Sequence, residues 1–327
     1  MEKFSYVNAT SLKQVTSLLS DSGWGEIMMI AGGTDLLAEL KEYIETPKTL
    51  INLKTLPGMD SISADASGLK IGALTTVAEI AMHPTIQQHY TVLAQAAASV
   101  ATPQIRNVGT LGGNLCQRPR CWYYRDETIS CLKKGGDLCY AVEGLSKYHA
   151  IFGGDPVYIV HPSDIAPALI ALNASIKIAG PEGEKTIKVE EFFTLPAANP
   201  FRENVLEPNE IVVEVQVPNP NPNTKSLYLK VREKGAPDFA LASVAGVFEM
   251  MGKTCQTASI VLGGVAPAPW RSTDAETALT GKMINDSVST KAGEEAVKNA
   301  QPLNDNEYKV TLTQNLISRA AMMAVSK

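Results

Sequence analysis

The chain has 327 residues, of which 45% are hydrophobic and 19% charged, and its net charge is −5. That length accommodates two or three domains around a full apolar core, and the composition is not that of a disordered or fibrous protein. The acidic balance offers no basic field to a polyanion, so nucleic acid is not an expected partner.

The first residues, Met1-Glu-Lys-Phe-Ser-Tyr-Val7, have neither the apolar stretch of a secretory leader nor the arginine-rich character of a transit peptide. No apolar run is long enough to span a bilayer. The expectation is a cytoplasmic protein with no membrane partner, in a reducing compartment where clustered cysteines hold metal more often than they pair.

In chain order, Leu12, Val15, Leu18 and Leu19 recur at helical spacing behind the capping candidates Thr10 and Ser11, and Gly23 is placed to end that helix. Ile27 to Ile30 reads as a short buried strand. It runs into Ala31-Gly32-Gly33-Thr34-Asp35, after which Leu36 to Tyr43 is helical. A strand, a glycine turn and a helix start leave unpaired amides where a phosphate can approach the backbone. A tight turn followed by a simple cap at Thr34 or Asp35 satisfies the same pattern.

Short strands at Leu50 to Leu53 and Leu69 to Leu74 then alternate with helices at Val77 to Met82 and Tyr90 to Ala101. Gly109-Thr-Leu-Gly112-Gly113-Asn114 is a second glycine turn. Two such turns far apart in sequence are what a pyrophosphate held between two lobes requires. Neither fits Gly-x-Gly-x-x-Gly or a P-loop, which disfavours a nicotinamide-type domain and a nucleotide triphosphatase.

Beyond Asp164, Ile165 to Leu172 reads as helix and Ser175 to Ile178 as strand, with a turn at Pro181-Glu-Gly183. Strand candidates follow at Glu210 to Val217, Ser226 to Arg232, Phe239 to Phe248 and Thr257 to Val265. Helices at Asp274 to Leu279, Ser289 to Ala300 and Asn306 to Val325 close the chain, the order of an α+β unit with one sheet face covered.

Four of the five cysteines fall in one stretch, Cys116-x4-Cys121-x9-Cys131-x7-Cys139, a spacing of neither a zinc finger nor a common ferredoxin run. Arg118, Arg120, Arg125, Lys133 and Lys134 lie among them, with Trp122, Tyr123 and Tyr124. Cations and aromatics of this kind suit an anionic iron–sulfur cluster, which they stabilise and shield. Free thiols on a solvated basic loop are the plainer reading. Cys255 reads as a buried small hydrophobe. The four histidines, His83, His89, His149 and His161, have no metal spacing and read as structural or surface groups. No acid–base constellation is discernible.

Taken together, Ile30-Ala-Gly-Gly-Thr-Asp-Leu-Leu37, Val108-Gly-Thr-Leu-Gly-Gly-Asn114, His161-Pro-Ser-Asp164 and Leu262-Gly-Gly-Val265 resemble the FAD-binding medium subunit of the xanthine dehydrogenase family of molybdenum hydroxylases. The insert from Gln117 onward is similar to the one in 4-hydroxybenzoyl-CoA reductase and bacterial aldehyde oxidoreductases, which carries a [4Fe–4S] cluster. The resemblance implies an α+β chain. A two-lobed FAD-binding domain like that of vanillyl-alcohol oxidase spans 1–176, with lobes of about 1–55 and 56–176 and a cysteine-rich insert at 115–152. A C-terminal domain with an antiparallel sheet and helices on one face spans 177–327.

It also implies that Met29, Ile30, Ala31, Gly32, Gly33, Thr34, Asp35 and Leu36 wrap the FAD pyrophosphate, with Thr110, Gly113 and Asn114 contacting the cofactor from the second turn. Asp164 would lie at the adenosine or ribose end, Val212 near the flavin and Lys230 beside the isoalloxazine ring. Three cluster ligands fall on Cys121, Cys131 and Cys139. The fourth is expected just before a His-Ala pair, where this chain has Tyr148. Cys116 is then the expected fourth thiolate; Tyr148, water or a labile cluster are the alternatives.

The implied activity is electron transfer by an oxidoreductase subunit without substrate chemistry of its own. Its implied partners are a molybdopterin-binding large subunit and a [2Fe–2S] small subunit, with ferredoxin or NAD as an external electron partner. A self-contained FAD-dependent oxidase and a non-enzymatic zinc-binding scaffold are the competing readings.

Overall fold

A computed structural model describes every residue except Asp21, Ser22, Trp24, Ala236 and Lys327. The first lobe is a parallel sheet of β1 (Ser5–Asn8), β2 (Ile27–Ile30) and β3 (Thr49–Asn52) in the order β1-β3-β2. Helix α1 (Leu12–Ser20) joins the first two strands and buries Val15 and Leu19, the stripe its spacing predicts. Ser11 begins it, its hydroxyl accepting from the Gln14 amide at 3.2 Å. The helix ends at Ser20, and the expected stop at Gly23 follows residues outside the described set. Helix α2 (Leu36–Lys41) follows β2 across the first glycine turn.

The second lobe carries an antiparallel sheet ordered β4-β5-β8-β6-β7: β4 (Ile62–Asp65), β5 (Gly68–Gly72), β6 (Ser175–Gly180), β7 (Gly183–Lys188) and β8 (Ile211–Val217). Its helices are α3 (Val77–Met82), α4 (Pro84–His89), α5 (Thr91–Ser99), α6 (Pro103–Arg106), α7 (Leu111–Leu115), α8 (Ile165–Ala171) and α9 (Val189–Phe192). Strand β8 lies between β5 and β6, pairing Ile71 with Val215 and Ile176 with Val215. The sheet therefore runs across the expected division at 176/177. Residues 177–217 belong with the second lobe, because the inward residues of β8 complete its apolar face, and the turn at Pro181–Gly183 is only the β6–β7 hairpin.

The last third forms a second antiparallel sheet of β9 (Thr224–Val231), β10 (Ala242–Met251), β11 (Thr254–Gly263), β12 (Trp270–Arg271) and β13 (Lys282–Met283). Neighbouring residues point to opposite faces, as the pleat dictates. Leu227, Val244, Ile260 and Leu262 pack on helices α10 (Thr273–Leu279), α11 (Asp286–Val297) and α12 (Tyr308–Ser326). Tyr228, Ala245 and Val261 join the core of the second lobe, where α5 and α8 lie. The sheet's own helices cover one face as expected, and the second lobe covers the other. Strand β10 starts at Ala242 rather than Phe239, because the segment before it turns into a cavity described below. Among the described residues no helix is long and apolar enough to cross a membrane.

Between α7 and α8 lies the insert, almost without regular structure. Its far end is fastened by Lys309 of α12, whose ammonium donates to the carbonyls of Tyr148 at 3.0 Å, His149 at 3.0 Å and Gly264 at 2.8 Å. Burial pushes the Lys309 pKa down to about 7. Three carbonyl acceptors match only the three N–H groups of the charged form, so that is the form this pocket holds. Lys309→Met strands the Tyr148 and Gly264 carbonyls. It is expected to cost about 3 kcal/mol of stability, at the usual penalty for buried unsatisfied groups, with earlier proteolysis within 115–152; denaturant unfolding and limited digestion measure the two effects.

Candidate functional site

The two glycine turns meet. Strand β2 delivers the first, and the Ile30 carbonyl accepts from the Leu53 amide at 2.9 Å as the ladder ends. The second is pinned to the segment before α3: Val77 donates to the Gly109 carbonyl at 2.9 Å, Leu111 to Thr75 at 2.9 Å and Gly112 to Ala73 at 2.8 Å. A β-carbon on Gly32 would stand 2.1 Å from the Val108 carbonyl oxygen, so only glycine permits the approach. Gly33 has φ of +70°, the left-handed region. Among the described residues nothing accepts from the amides of Gly32, Gly33, Thr34 or Asp35. The Thr110 hydroxyl accepts from the Gly113 amide at 3.3 Å and fixes the second turn.

Met29 to Leu36, Thr110, Gly113 and Asn114 all line a single cavity of about 210 Å³. The structure thus brings together eleven of the fourteen residues expected to touch the cofactor. Val212 is not among them: it is buried in β8 opposite Ile178 and lines neither this cavity nor the next.

Asp164 and Lys230 were expected at opposite ends of a dinucleotide, yet they form one buried ion pair at 2.7 Å. The Tyr228 hydroxyl donates to the other Asp164 oxygen at 2.7 Å. Burial raises the Asp164 pKa, and Lys230 and Tyr228 oppose it. Two side chains in one ion pair cannot lie at opposite ends of an extended dinucleotide, and Lys230 lines neither cavity. Asp164 lines a second cavity of about 290 Å³ with His161, Ser163 and the segment Phe239–Leu241. Arg120 lines both cavities. Asn114, on the first, accepts from the Ser163 hydroxyl at 2.5 Å, on the second, so the two are joined by adjoining walls.

In the insert, Cys121, Cys131 and Cys139 line one small pocket of about 10 Å³, together with His149, Lys133 and the tyrosines Tyr123, Tyr124 and Tyr140. The His149 Nε2 is 3.2 Å from the Cys121 sulfur. Burial lowers the His149 pKa to about 4 and raises that of Cys121 to about 11. Cys121 and His149 also line the 290 Å³ cavity, so a single layer of side chains separates the two spaces. Cys116 lies elsewhere, on the wall of the cavity between the glycine turns, and the structure does not bring it to the other three thiols. Tyr148 turns outward, its hydroxyl donating to Glu233 at 2.6 Å. Among the described residues no three His, Cys, Asp or Glu side chains converge on a point as the ligands of one metal ion would. Cys255 is buried in β11, as expected.

The arginines of the insert pair with carboxylates, whereas Lys133 lines the thiol pocket itself. Arg120 and Arg125 each reach Asp35 of the first glycine turn at 2.7 Å, and the Arg118 amide donates to the same carboxylate at 2.7 Å. Glu203 pairs with Lys133 at 2.6 Å and with Arg118 at 3.0 Å. Tyr124 donates to the buried Glu39 at 2.7 Å, and burial raises the Glu39 pKa. These ion pairs fasten the insert to the body. The partners lie far away in sequence, so composition alone could not assign them.

Residues 2–220 match the family model described as the FAD binding domain in molybdopterin dehydrogenase, and residues 227–324 match the CO dehydrogenase flavoprotein C-terminal domain. The chain belongs to the FAD-binding medium subunits of the molybdenum hydroxylases. The aldehyde oxidoreductase FAD-binding subunit PaoB of Escherichia coli is 37% identical over 295 residues, 88% of each chain. The carbon monoxide dehydrogenase medium chain of Hydrogenophaga pseudoflava is 27% identical and covers 97% of this chain and 96% of its own. A solved carbon monoxide dehydrogenase from the same organism superposes with a TM-score of 0.80 at 27% identity, covering 99% of this chain and 98% of that one.

In this medium subunit, sequence reasoning passed over Arg120, His149 and His161 as site residues. A lone histidine without metal spacing carries no signal until the fold places it.

Two outcomes follow for the buried polar groups. Lys230→Met leaves the Asp164 carboxylate buried without its cation and should cost about 3–5 kcal/mol, read by denaturant unfolding. The second concerns His161, which burial first, and then the Arg120 guanidinium, lower to about 4. The unfolded chain takes up that proton near pH 6.5 while the folded chain excludes it, so stability falls as pH drops from about 6.5 towards 4. Between pH 7 and 4.5 the wild type is expected to lose about 2–3 kcal/mol more than His161→Phe.

Proposed function

We propose that this medium subunit binds one FAD along the two adjoining cavities, with its pyrophosphate between the glycine turns, and relays electrons within a molybdenum hydroxylase complex. The supporting observation is the contact of Gly32 with the Val108 carbonyl. It closes two distant turns around one cavity that is lined by residues whose amides have no acceptor among the described residues. Four such amides suit two phosphates in chemistry and in reach.

Bound there, FAD would supply a carrier that accepts two electrons together and releases them singly. The residues of this chain bind and orient it. Gly32 to Asp35 and Thr110 hold the phosphates, and Asn114, fixed by Ser163, sets the passage to the larger cavity. Asp164 stands on the wall at the ring end, held there by Lys230 and Tyr228, which line neither cavity. His161 and Phe239–Leu241 close that cavity against water.

The second cofactor is a [4Fe–4S] cluster in the insert, held by Cys121, Cys131 and Cys139. Three thiols lining one pocket without meeting at a point suit a polynuclear centre better than a single ion. Its loading must spread these side chains, since the pocket encloses only about 10 Å³ as they stand. The partners are a molybdopterin-bearing large subunit and a [2Fe–2S] small subunit, with ferredoxin or NAD as the external donor or acceptor.

The full-length chain is expected to take up one FAD per copy and to copurify with those two polypeptides. Gly32→Ala should lose the flavin at concentrations that saturate the wild type, by absorbance and equilibrium dialysis. A Gly32→Ala chain that binds FAD as tightly as the wild type, or turnover of an organic substrate by this chain alone, overturns the assignment.

A further inference from the structure

The insert has three thiols for a centre that takes four ligands, and the fold decides which neighbouring group faces them. Cys116 looks into the cavity between the glycine turns. The Tyr148 ring lies at the surface, with its hydroxyl on Glu233 and the Lys147 ammonium 5.4 Å from its centroid. His149 shares the 290 Å³ cavity with Tyr148 but, unlike it, also reaches the thiol pocket. It is only 3% exposed, and its Nε2 lies 3.2 Å from the Cys121 sulfur, on the pocket that Cys131 and Cys139 also line.

The backbone holds this orientation. The His149 amide donates to Ser146 at 2.9 Å, and its carbonyl accepts from Lys309 at 3.0 Å and from Asn306 at 3.0 Å. Turning Tyr148 inward in place of His149 breaks all three. The ring is flanked by Trp122 and Tyr123, each with its centroid 6.0 Å away. Neutral His149 with its proton on Nδ1 presents the Nε2 lone pair to the thiol pocket.

We propose that His149 Nε2 is the fourth ligand, completing a set of three thiolates and one imidazole with Cys121, Cys131 and Cys139. The assignment rests on the reading that the insert holds a cluster. It fits the electrostatics of the insert. Arg118, Arg120, Arg125 and Lys133 are committed to Asp35, Glu39, Glu45 and Glu203. A neutral imidazole in place of a fourth thiolate removes one negative charge from a centre whose pocket lysine, Lys133, is already paired with Glu203. Exchange of a thiolate for imidazole raises the potential of an iron–sulfur centre.

The test uses the full-length chain, reconstituted anaerobically with ferrous iron and sulfide and labelled with [15N]histidine. Reduced wild-type protein is expected to show the strong nitrogen hyperfine coupling of a directly bound imidazole by electron–nuclear double resonance. His149→Ala should lose roughly a quarter of the iron or more, as one site of four goes unligated. His149→Cys should keep full iron, lose the nitrogen coupling and titrate at a lower potential. Cys116→Ser and Tyr148→Phe should load as the wild type does. Full loading of His149→Ala, a coupling no stronger than a hydrogen bond transmits, or loss of iron in Cys116→Ser overturns this assignment and leaves the cluster reading standing. A wild-type chain that takes up no iron overturns both.

Discussion

The structure depends on one close contact, the Gly32 backbone against the Val108 carbonyl. It joins the end of a parallel strand in the first lobe to a turn hung from the second lobe. Neither lobe alone offers a concave surface with unpaired amides; together they make one. From that contact the walls follow outward in order. Asn114 is held by Ser163, Ser163 precedes Asp164, and Asp164 is locked by Lys230 and Tyr228 of the C-terminal sheet. All three parts of the chain therefore meet on one continuous passage, and a change in any of them is felt at the others.

The legible parts of the sequence were those in which a local pattern has a local cause. Glycine pairs after a short apolar strand marked both turns, because only glycine tolerates such approach and such φ values. The periodicities of α1, β8 and the C-terminal helices marked those elements. Register between distant segments left no mark. Nothing near Ile211–Val217 says that this strand inserts between β5 and β6, so the division between domains was placed too early. The segment at Phe239 alternates like a strand, but its apolar side chains face a cavity instead of a neighbouring strand.

The site was legible in the same uneven way. Residues of the glycine turns were found because they cluster in sequence, whereas Asp164 and Lys230 were found individually but not as a pair, since 66 residues separate them. The arginines among the cysteines were read as serving the thiols because they are adjacent in sequence. In space they serve carboxylates up to 90 residues away. Proximity along the chain is a poor guide in a segment without regular structure, because no helix or strand fixes which side a residue faces. His149 and Tyr148 are the sharpest case: neighbours in sequence that share the 290 Å³ cavity, yet only His149 also lines the thiol pocket.

The middle of the insert packs apart from the two apolar cores, which take in only its ends, Leu115 on one side and Ile151 and Phe152 on the other. Its buried residues Tyr124, Cys131, Ala141 and Ala150 belong to neither of the two apolar cores, and it is tied down by charged and polar clasps on the outside of the lobes. An appendage attached in this way can be acquired or discarded during descent without repacking anything beneath it. The clasp residue Asp35 belongs to the first glycine turn itself, so such a module arrives already in register with the cavity that turn lines.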